Sequence, residues 1–358
     1  MTDSTTNELK DKIHAGERIG AAEALSLFAW DLLELGMAAD FRTRLIAPGG
    51  KAGFIVDRII NYTNICEACC LFCAFHARAG QIEPYELSME AILAKVDELA
   101  EIGGTQVMLQ GGLHPRHTLD TYISLVKTVK TRHPKIRLHS FSPAELVHIS
   151  RKQGIGIYEV IGRLKESGLD SVPGASDLLV DRIRCRVSPG KLTRNQWCEV
   201  MDSLARHGMK SSATMTYGMG ETLQERISHM EVIREAQDRH GIIRAFIPWS
   251  FSPANTRMDT IAPATGVDYL RVVAVSRIFL DNITYIQAGW LTEGMKLAQL
   301  ALTMGANDMG GVLTEEVVVK ATGIKNRTNM DELVDTIRDA GRIPVLRDSD
   351  YQEIKAFA

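Results

Sequence analysis

Apolar positions near the start of the chain recur at helical spacing. Leu9, Ile13, Ile19, Ala22, Leu25, Phe28, Leu32 and Leu35 line up roughly every three to four residues. Residues 7–37 are therefore expected to be helical, with Gly16 and Gly20 breaking the stretch in two. After Pro48-Gly49-Gly50 the period changes, and the apolar residues of 54–60 predict a strand. From there a short apolar or β-branched run, a Gly, Pro or Ser, and a helix-length amphipathic stretch follow one another repeatedly. Further strands are expected at 106–110, 137–141, 169–172, 210–217, 245–251, 285–288 and 306–309. Helices are expected near 88–101, 118–132, 143–152, 156–166, 193–207, 222–239, 266–281, 291–303 and 314–321. Thr193 with Gln196 and Thr222 with Glu225 spell capping boxes at two of these starts.

About eight strands alternating with helices imply parallel strands joined by right-handed crossovers, and that count favours a (β/α)8 barrel. The division expected is a helical segment over 1–50, a barrel over 51–323 and a C-terminal extension over 324–358. An open doubly wound sheet is the other arrangement, but no glycine-rich dinucleotide fingerprint follows the first strand. In a barrel the chemistry gathers at the C-terminal ends of the strands. Unusual polar clusters fall there, at 64–73, 110–114, 140–145, 173–177, 217–221, 248–251, 287–290 and 307–308.

Composition changes this picture little. The 358 residues are 45% hydrophobic and 24% charged, with a net charge of −3, which gives no electrostatic reason to expect nucleic acid or an anionic membrane as partner. The expected ligand is a small molecule. No apolar run reaches the ~18 residues of a membrane span. Met1 to Glu8 lacks the order of a signal peptide, so a cytoplasmic location is expected.

Four of the six cysteines crowd into Cys66-Glu-Ala-Cys69-Cys70-Leu-Phe-Cys73. Clustered thiols in a long cytosolic chain point to a metal rather than to disulfides. Two triads are available, Cys66–Cys70–Cys73 and Cys66–Cys69–Cys73. A structural zinc site needs a fourth ligand, which Cys69 or His76 could supply. A plain electron-transfer cluster is the other alternative. Colour separates these cheaply, because an iron–sulfur protein is brown and a zinc protein colourless.

The spacing Cys66-x3-Cys70-x2-Cys73, with Phe72 before the last cysteine, resembles the signature of the radical S-adenosylmethionine family. The stretches 31–39, 61–77, 110–115 (QGGLHP), 139–145 (HSFSPAE), 165–174, 246–251 (FIPWSF) and 305–308 (GAND) are similar, in order, to the dehypoxanthine futalosine cyclases of menaquinone biosynthesis. Aminofutalosine synthases and the radical subunits that form the deazaflavin chromophore are the close relatives. Asn61-Tyr62-Thr63-Asn64 and Trp249 lean toward the cyclases. The loop Ala175-Ser176-Asp177 is one residue shorter than in the family, with Asp where Glu is usual.

The resemblance implies a [4Fe–4S] cluster on Cys66, Cys70 and Cys73, with S-adenosylmethionine on the open iron. A 5′-deoxyadenosyl radical would take hydrogen from the substrate ribose, and the carbon radical would add to the benzoate ring. Gln110, Gly111, Gly112, Ser140 and Glu145 are the expected contacts to S-adenosylmethionine. Asp177, Tyr217, Trp249, Gln287, Asn307 and Asp308 are the expected substrate contacts, and His76 or His114 the expected base. An electron donor such as flavodoxin or ferredoxin is implied as partner.

Overall fold

The computed structural model describes residues 3–357, with side chains from residue 6 onward. Met1 and Thr2, part of the polar start noted above, lie outside the described residues. Three helices come first: α1 (Asp3–His14), α2 (Ala21–Leu27) and α3 (Leu32–Ile46). Asp31 caps α3, accepting from Leu33 N and Glu34 N, so the helical stretch expected over 7–37 is interrupted once more, between Leu27 and Leu32.

The strand expected at 54–60 is two, β1 (Lys51–Ile55) and β2 (Asp57–Asn61), bent at Val56. There follow α4 (Met89–Glu101), β3 (Gln106–Gln110), α5 (Leu119–Arg132), β4 (Arg137–Leu138), α6 (Pro143–Gln153), α7 (Ile157–Ser167), β5 (Ser171–Val172), α8 (Asp181–Val187) and α9 (Arg194–Arg206). Then come β6 (Lys210–Tyr217), α10 (Leu223–His240), β7 (Ile243–Ser250), α11 (Gly266–Phe279), β8 (Tyr285–Ile286), α12 (Trp290–Glu293), α13 (Met295–Ala301), β9 (Asp308–Gly311), α14 (Met330–Asp339), β10 (Ile343–Arg347) and β11 (Glu353–Ala356). Both expected capping boxes are formed, at α9 and α10. The helix expected at 314–321 reduces to a 3-10 turn, Lys320–Thr322. Glu316 turns its carboxylate onto the amides of Val318 and Val319 instead, and Glu315 is drawn to Arg58 and Lys95.

The parallel ladders run β2-β3-β4 and β5-β6-β7-β8. A bridge from His139 to Ser171 joins β4 to β5, and one from Gln287 to Asp308 joins β8 to β9. β9 pairs in parallel with β1, which runs on into β2 and closes the ring. With β1 and β2 counted as one bent strand, this is a (β/α)8 barrel. β4, β5 and β8 keep only two ladder residues each. The chain leaves the ladder early there and bends into the loops of the C-terminal end.

Segment 343–351 closes the other end. β10 lies parallel to β1 outside the ring. The chain beyond it turns under the barrel, where Arg347 makes a two-point ion pair with Asp308 at 2.5 and 2.8 Å. Ser349 Oγ donates to Gln106 Oε1 at 2.7 Å, Arg244 pairs with Asp350 at 2.9 Å, and the Tyr351 ring stacks on Tyr285 at 4.2 Å. This floor is buried and polar, and Arg347 and Arg244 each have an acidic partner there.

Candidate active site

The cysteine loop leaves β2 at the C-terminal end of the ring. Backbone hydrogen bonds fasten it to three other loops: Glu67 N to Leu113 O at 2.9 Å, Leu71 N to Val187 O at 2.8 Å, and Arg257 N to Leu71 O at 3.0 Å. The Gln110-Gly111-Gly112 turn makes room for it. A Cβ on Gly112 would stand 2.2 Å from the Ile65 carbonyl oxygen, and one on Gly111 would stand 2.5 Å from the Tyr62 ring. Their missing side chains leave room for the cysteine loop and Tyr62.

The Cys66 sulfur accepts from Leu113 N at 3.2 Å, and the Cys73 sulfur lies on the amides of Phe75 and His76. Burial pushes the Cys70 thiol up to about 12 and raises Cys73 as well. Coordination to a metal reverses that preference, because a coordinating thiol is deprotonated outright. Amide donors around the sulfurs are also what tunes an iron–sulfur cluster. Cys66, Cys70 and Cys73 therefore fit as the residues that could hold one. Cys69 does not: it is exposed, adopts φ 47°, and turns its sulfur to the Cys66 carbonyl at 3.6 Å.

Sequence reasoning missed Lys191. It ion-pairs with Asp177 at 2.8 Å, and its ammonium lies 5.3 Å from the centre of the Phe72 ring. Burial works against its charge, but Asp177 and Cys70 hold its pKa above the usual lysine value. Asp177, expected at the substrate, is thus engaged beside the cysteine loop. Nothing in the sequence around Pro189-Gly190-Lys191 marked this role. A second missed signal is backbone strain. Of the seven described non-glycine residues with positive φ, six (Cys69, Phe141, Ala175, Asp177, Asn255 and Leu313) lie on loops at this end. Such strain concentrates at functional sites.

Several of the expected contact residues have partners within the protein. Ser140 is fully buried, and its hydroxyl accepts from Leu109 N at 3.0 Å, bracing β3. Glu145, also fully buried, sits in the first turn of α6. It accepts from Tyr62 OH at 2.6 Å, Ser142 Oγ at 2.6 Å and Gly111 N at 3.2 Å, and burial pushes it up to about 7. Tyr217 is on the wrong face of β6. Ser212, Thr214 and Thr216 alternate on one face and Ala213, Met215 and Tyr217 on the other. Tyr217 packs under Arg226 of α10, in the layer between sheet and helices.

Asn307 accepts from Arg277 of α11 at 2.7 Å and donates to Thr284 O, which locks β8 to β9. Asp308 belongs to the floor, and Gln287 donates to the floor tyrosine, Tyr351, at 3.0 Å. Trp249 is half-buried and stands in register with Thr216, on the face opposite that of Tyr217.

Of the two candidate bases, His76 is buried with Nδ1 unpartnered, its pKa lowered by burial and by Arg78 and Arg257. His114 stacks on His117 at 4.0 Å, and Glu86 joins them so that three ligand atoms lie within 4.8 Å. His114 Nδ1 accepts from Arg116 N at 3.0 Å, which puts the proton of the neutral ring on Nε2, facing Glu86 at 3.8 Å. Nε2 itself makes no hydrogen bond, because Glu86 is engaged by His117 Nε2 at 2.6 Å.

An open cavity of about 1300 Å³ adjoins the cysteine loop, between Asn61, Phe75, Arg78 and Tyr85 on one side and residues of the loops after β7 and β9 on the other. Among the described residues no helix is long and apolar enough to cross a membrane.

Comparison with known proteins agrees with this architecture. Residues 60–233 match the family model described as the Radical SAM superfamily, and residues 239–357 match the CofH/MqnC C-terminal region. The chain is 40% identical to the cyclic dehypoxanthine futalosine synthase of Halalkalibacterium halodurans, over 96% of this chain and 93% of that one. It is 38% identical to the 5-amino-6-(D-ribitylamino)uracil–L-tyrosine 4-hydroxyphenyl transferase of Methanococcoides burtonii, over 98% and 99%. The crystal structure of methylornithine synthase (PylB) superposes with a TM-score of 0.75 at 17% identity, covering 94% of this chain and 97% of that one, which shows the shared fold. The chain belongs to the radical S-adenosylmethionine superfamily, in its CofH/MqnC group, and is an enzyme that uses a [4Fe–4S] cluster and S-adenosylmethionine.

Proposed function

We propose that this enzyme closes dehypoxanthine futalosine to its cyclic form in menaquinone biosynthesis, with the cluster held by Cys66, Cys70 and Cys73. The observation that carries the reading is the 40% identity, over nearly the whole of both chains, to two cyclic dehypoxanthine futalosine synthases. When bound, the reduced cluster and S-adenosylmethionine supply a 5′-deoxyadenosyl radical that takes one hydrogen atom from the substrate ribose. The ribose carbon radical would add to the benzoate ring, and loss of a proton to a base and of an electron back to the oxidised cluster would restore aromaticity. The protein's tasks are to position the two reacting carbons and to exclude water and other hydrogen donors.

The chain's own residues divide those tasks. The amides of Leu113, Phe75 and His76 donate to the sulfurs of Cys66 and Cys73, which would hold the cluster. Lys191 places a positive charge beside Cys70. His76, whose buried Nδ1 has no partner and whose neutral form is favoured by burial, is the residue with a free ring nitrogen to receive the ring proton. Trp249 offers a flat apolar surface to the substrate. Reducing equivalents come from a small carrier of the flavodoxin or ferredoxin type, and the enzyme works in the cytoplasm.

A second reading has support of its own, since the tyrosine transferase of Methanococcoides burtonii is matched over the full length at 38%. One experiment separates the two. The anaerobically reconstituted, reduced enzyme is given S-adenosylmethionine with dehypoxanthine futalosine, or with tyrosine and 5-amino-6-(D-ribitylamino)uracil, and products are followed by mass spectrometry. The cyclase reading requires 5′-deoxyadenosine together with a product two hydrogens lighter than dehypoxanthine futalosine. Turnover of the tyrosine pair alone would replace it with the transferase.

A further inference from the structure

The cavity beside the cysteine loop holds an arginine with unused donors. Arg78 spends Nη2 on the Asn255 carbonyl at 2.9 Å. Its Nε is buried and has no partner, although a guanidinium nitrogen shut away from water ordinarily finds one. Asn61 Oδ1, also on this cavity wall, is buried and unpartnered too. An arginine and an asparagine that line this cavity with hydrogen-bonding capacity unspent within the protein suit a polar ligand.

The chemistry of that ligand follows from the surroundings. A guanidinium edge is shaped to take a carboxylate or phosphate through two parallel hydrogen bonds. Arg257 adds a second positive charge on the rim, tied to the cysteine loop through the Cys69 carbonyl. The acidic group opposite does not cancel it, because Glu315 is already engaged by Arg58 at 2.7 Å and by Lys95 at 2.6 Å. Glu83 and Asp259 are exposed at the edge. Phe75 and Tyr85 meet edge to face at 6.1 Å and give the cavity an aromatic wall. A flat aromatic acid satisfies all of these features at once, with the ring against Phe75 and Tyr85 and the carboxylate on Arg78.

We propose that Arg78 is the carboxylate-binding residue of this enzyme and holds the benzoate end of the substrate against Phe75 and Tyr85. This rests on the cyclase reading and adds the orientation of the substrate to it. The benzoate end lies on the cysteine-loop side of the mouth, and the sugar reaches from there toward the reacting centre.

The test uses the reconstituted full-length enzyme on dehypoxanthine futalosine and on its benzamide counterpart, which keeps the shape and removes the charge. The wild type is expected to prefer the carboxylate by about 10- to 100-fold in kcat/KM, the scale of one charge-assisted pair. Arg78→Gln is expected to raise KM for the carboxylate by that factor, leave kcat within about threefold, and lose the preference. Arg78→Lys is expected to recover part of it. Calorimetric binding of both compounds to the unreduced protein should show the same loss without any turnover, and iron content and melting temperature serve as controls for folding. Should Arg78→Gln not hold its cluster, Arg78→Lys decides: unchanged affinity and unchanged preference for the flat bidentate group overturn the inference. An Arg78→Gln enzyme with the wild-type KM, or a wild type that turns over acid and amide alike, also overturns it and leaves the cyclase reading standing. A wild type that converts neither compound removes the cyclase reading, and the inference falls with it.

Discussion

The two ends of the barrel solve opposite problems with the same kinds of residue. At the floor the buried arginines have acidic partners, Arg347 with Asp308 and Arg244 with Asp350, and Ser349 bonds Gln106. At the mouth buried polar atoms are left open, among them His76 Nδ1, Arg78 Nε and Asn61 Oδ1, and six of the seven described strained non-glycine residues lie on its loops. Unmade hydrogen bonds and positive φ angles each cost free energy. They persist where a ligand completes the site, and a closed floor can carry the stability that the mouth gives up.

The largest effect should come from the mouth. Cys70→Ala, like Cys66→Ala and Cys73→Ala, is expected to lose the cluster and with it all cleavage of S-adenosylmethionine. Cys69→Ala, which alters an exposed thiol turned onto its own loop, should retain iron and most activity. Iron content, the brown absorbance and 5′-deoxyadenosine formation measure all four. A colourless Cys69→Ala protein would move that residue into the ligand set and blur the contrast between the ends.

The floor predicts the reverse signature, with stability lost and chemistry kept. Arg347→Met strands Asp308, which is fully buried, without its counter-charge. Breaking one side of a buried pair costs about 3–5 kcal/mol. Adding Asp308→Asn should return part of that loss. Denaturant unfolding gives the size, and kcat per iron-loaded molecule should remain near the wild-type value. A kcat that falls in step with stability would show that the two ends are coupled.

This floor was the least legible part of the chain. The alternation of strands and helices, the capping boxes at Thr193 and Thr222 and the spacing of the cysteines all follow from local pattern, and local pattern is what a sequence displays. The pairing of Ile343–Arg347 with Lys51–Ile55 spans nearly the whole chain and leaves no periodic trace. Asp308 and Gln287 therefore looked like mouth residues, because a polar residue near a strand end reads the same whether a substrate or a distant arginine awaits it. Lys191 was invisible for the same reason. The QGGLHP turn stood out in the sequence, and in the structure its glycines make room for Ile65 and Tyr62.

Buried carboxylates at the two ends should also impose a shared slope on stability. Burial raises Glu145 to about 7 at the mouth and Asp57 to about 6 at the floor. A carboxyl whose folded pKa lies above its unfolded value binds more protons when folded. Its stabilising contribution is thus complete below the unfolded pKa and is lost as pH rises through the folded one. Stability should fall between about pH 4.5 and 7 for Glu145, and between about pH 4 and 6 for Asp57. Glu145→Gln should flatten the upper part of that fall. Gln can still accept from Tyr62 and Gly111, so the change removes the titration while keeping the brace. Unfolding free energy measured every half pH unit reads it directly, and an unchanged slope above pH 6 would remove Glu145 as its source.

The smallest expected effect is the sharpest test of which face of a strand the chemistry uses. Tyr217 stands at the end of β6, where a barrel enzyme is expected to place a catalytic or binding group. Strand parity nonetheless turns it into the helix layer, under Arg226, with its hydroxyl buried and without a hydrogen-bond partner. The parity was readable in Lys210–Tyr217, but both faces of a barrel strand are buried, so alternation alone did not say which face looks inward. Tyr217→Phe removes only that unpartnered hydroxyl. It should leave kcat and KM within about twofold and change stability by less than about 1 kcal/mol, with the sign toward stabilisation, because an unsatisfied polar group is lost and no bond is broken. Thr216→Val, one residue away on the face shared with Trp249, should by contrast alter KM. If Tyr217→Phe proves the more damaging of the two, β6 presents its other face to the substrate, and the division between a reactive lumen and an inert helix layer fails on that side of the barrel.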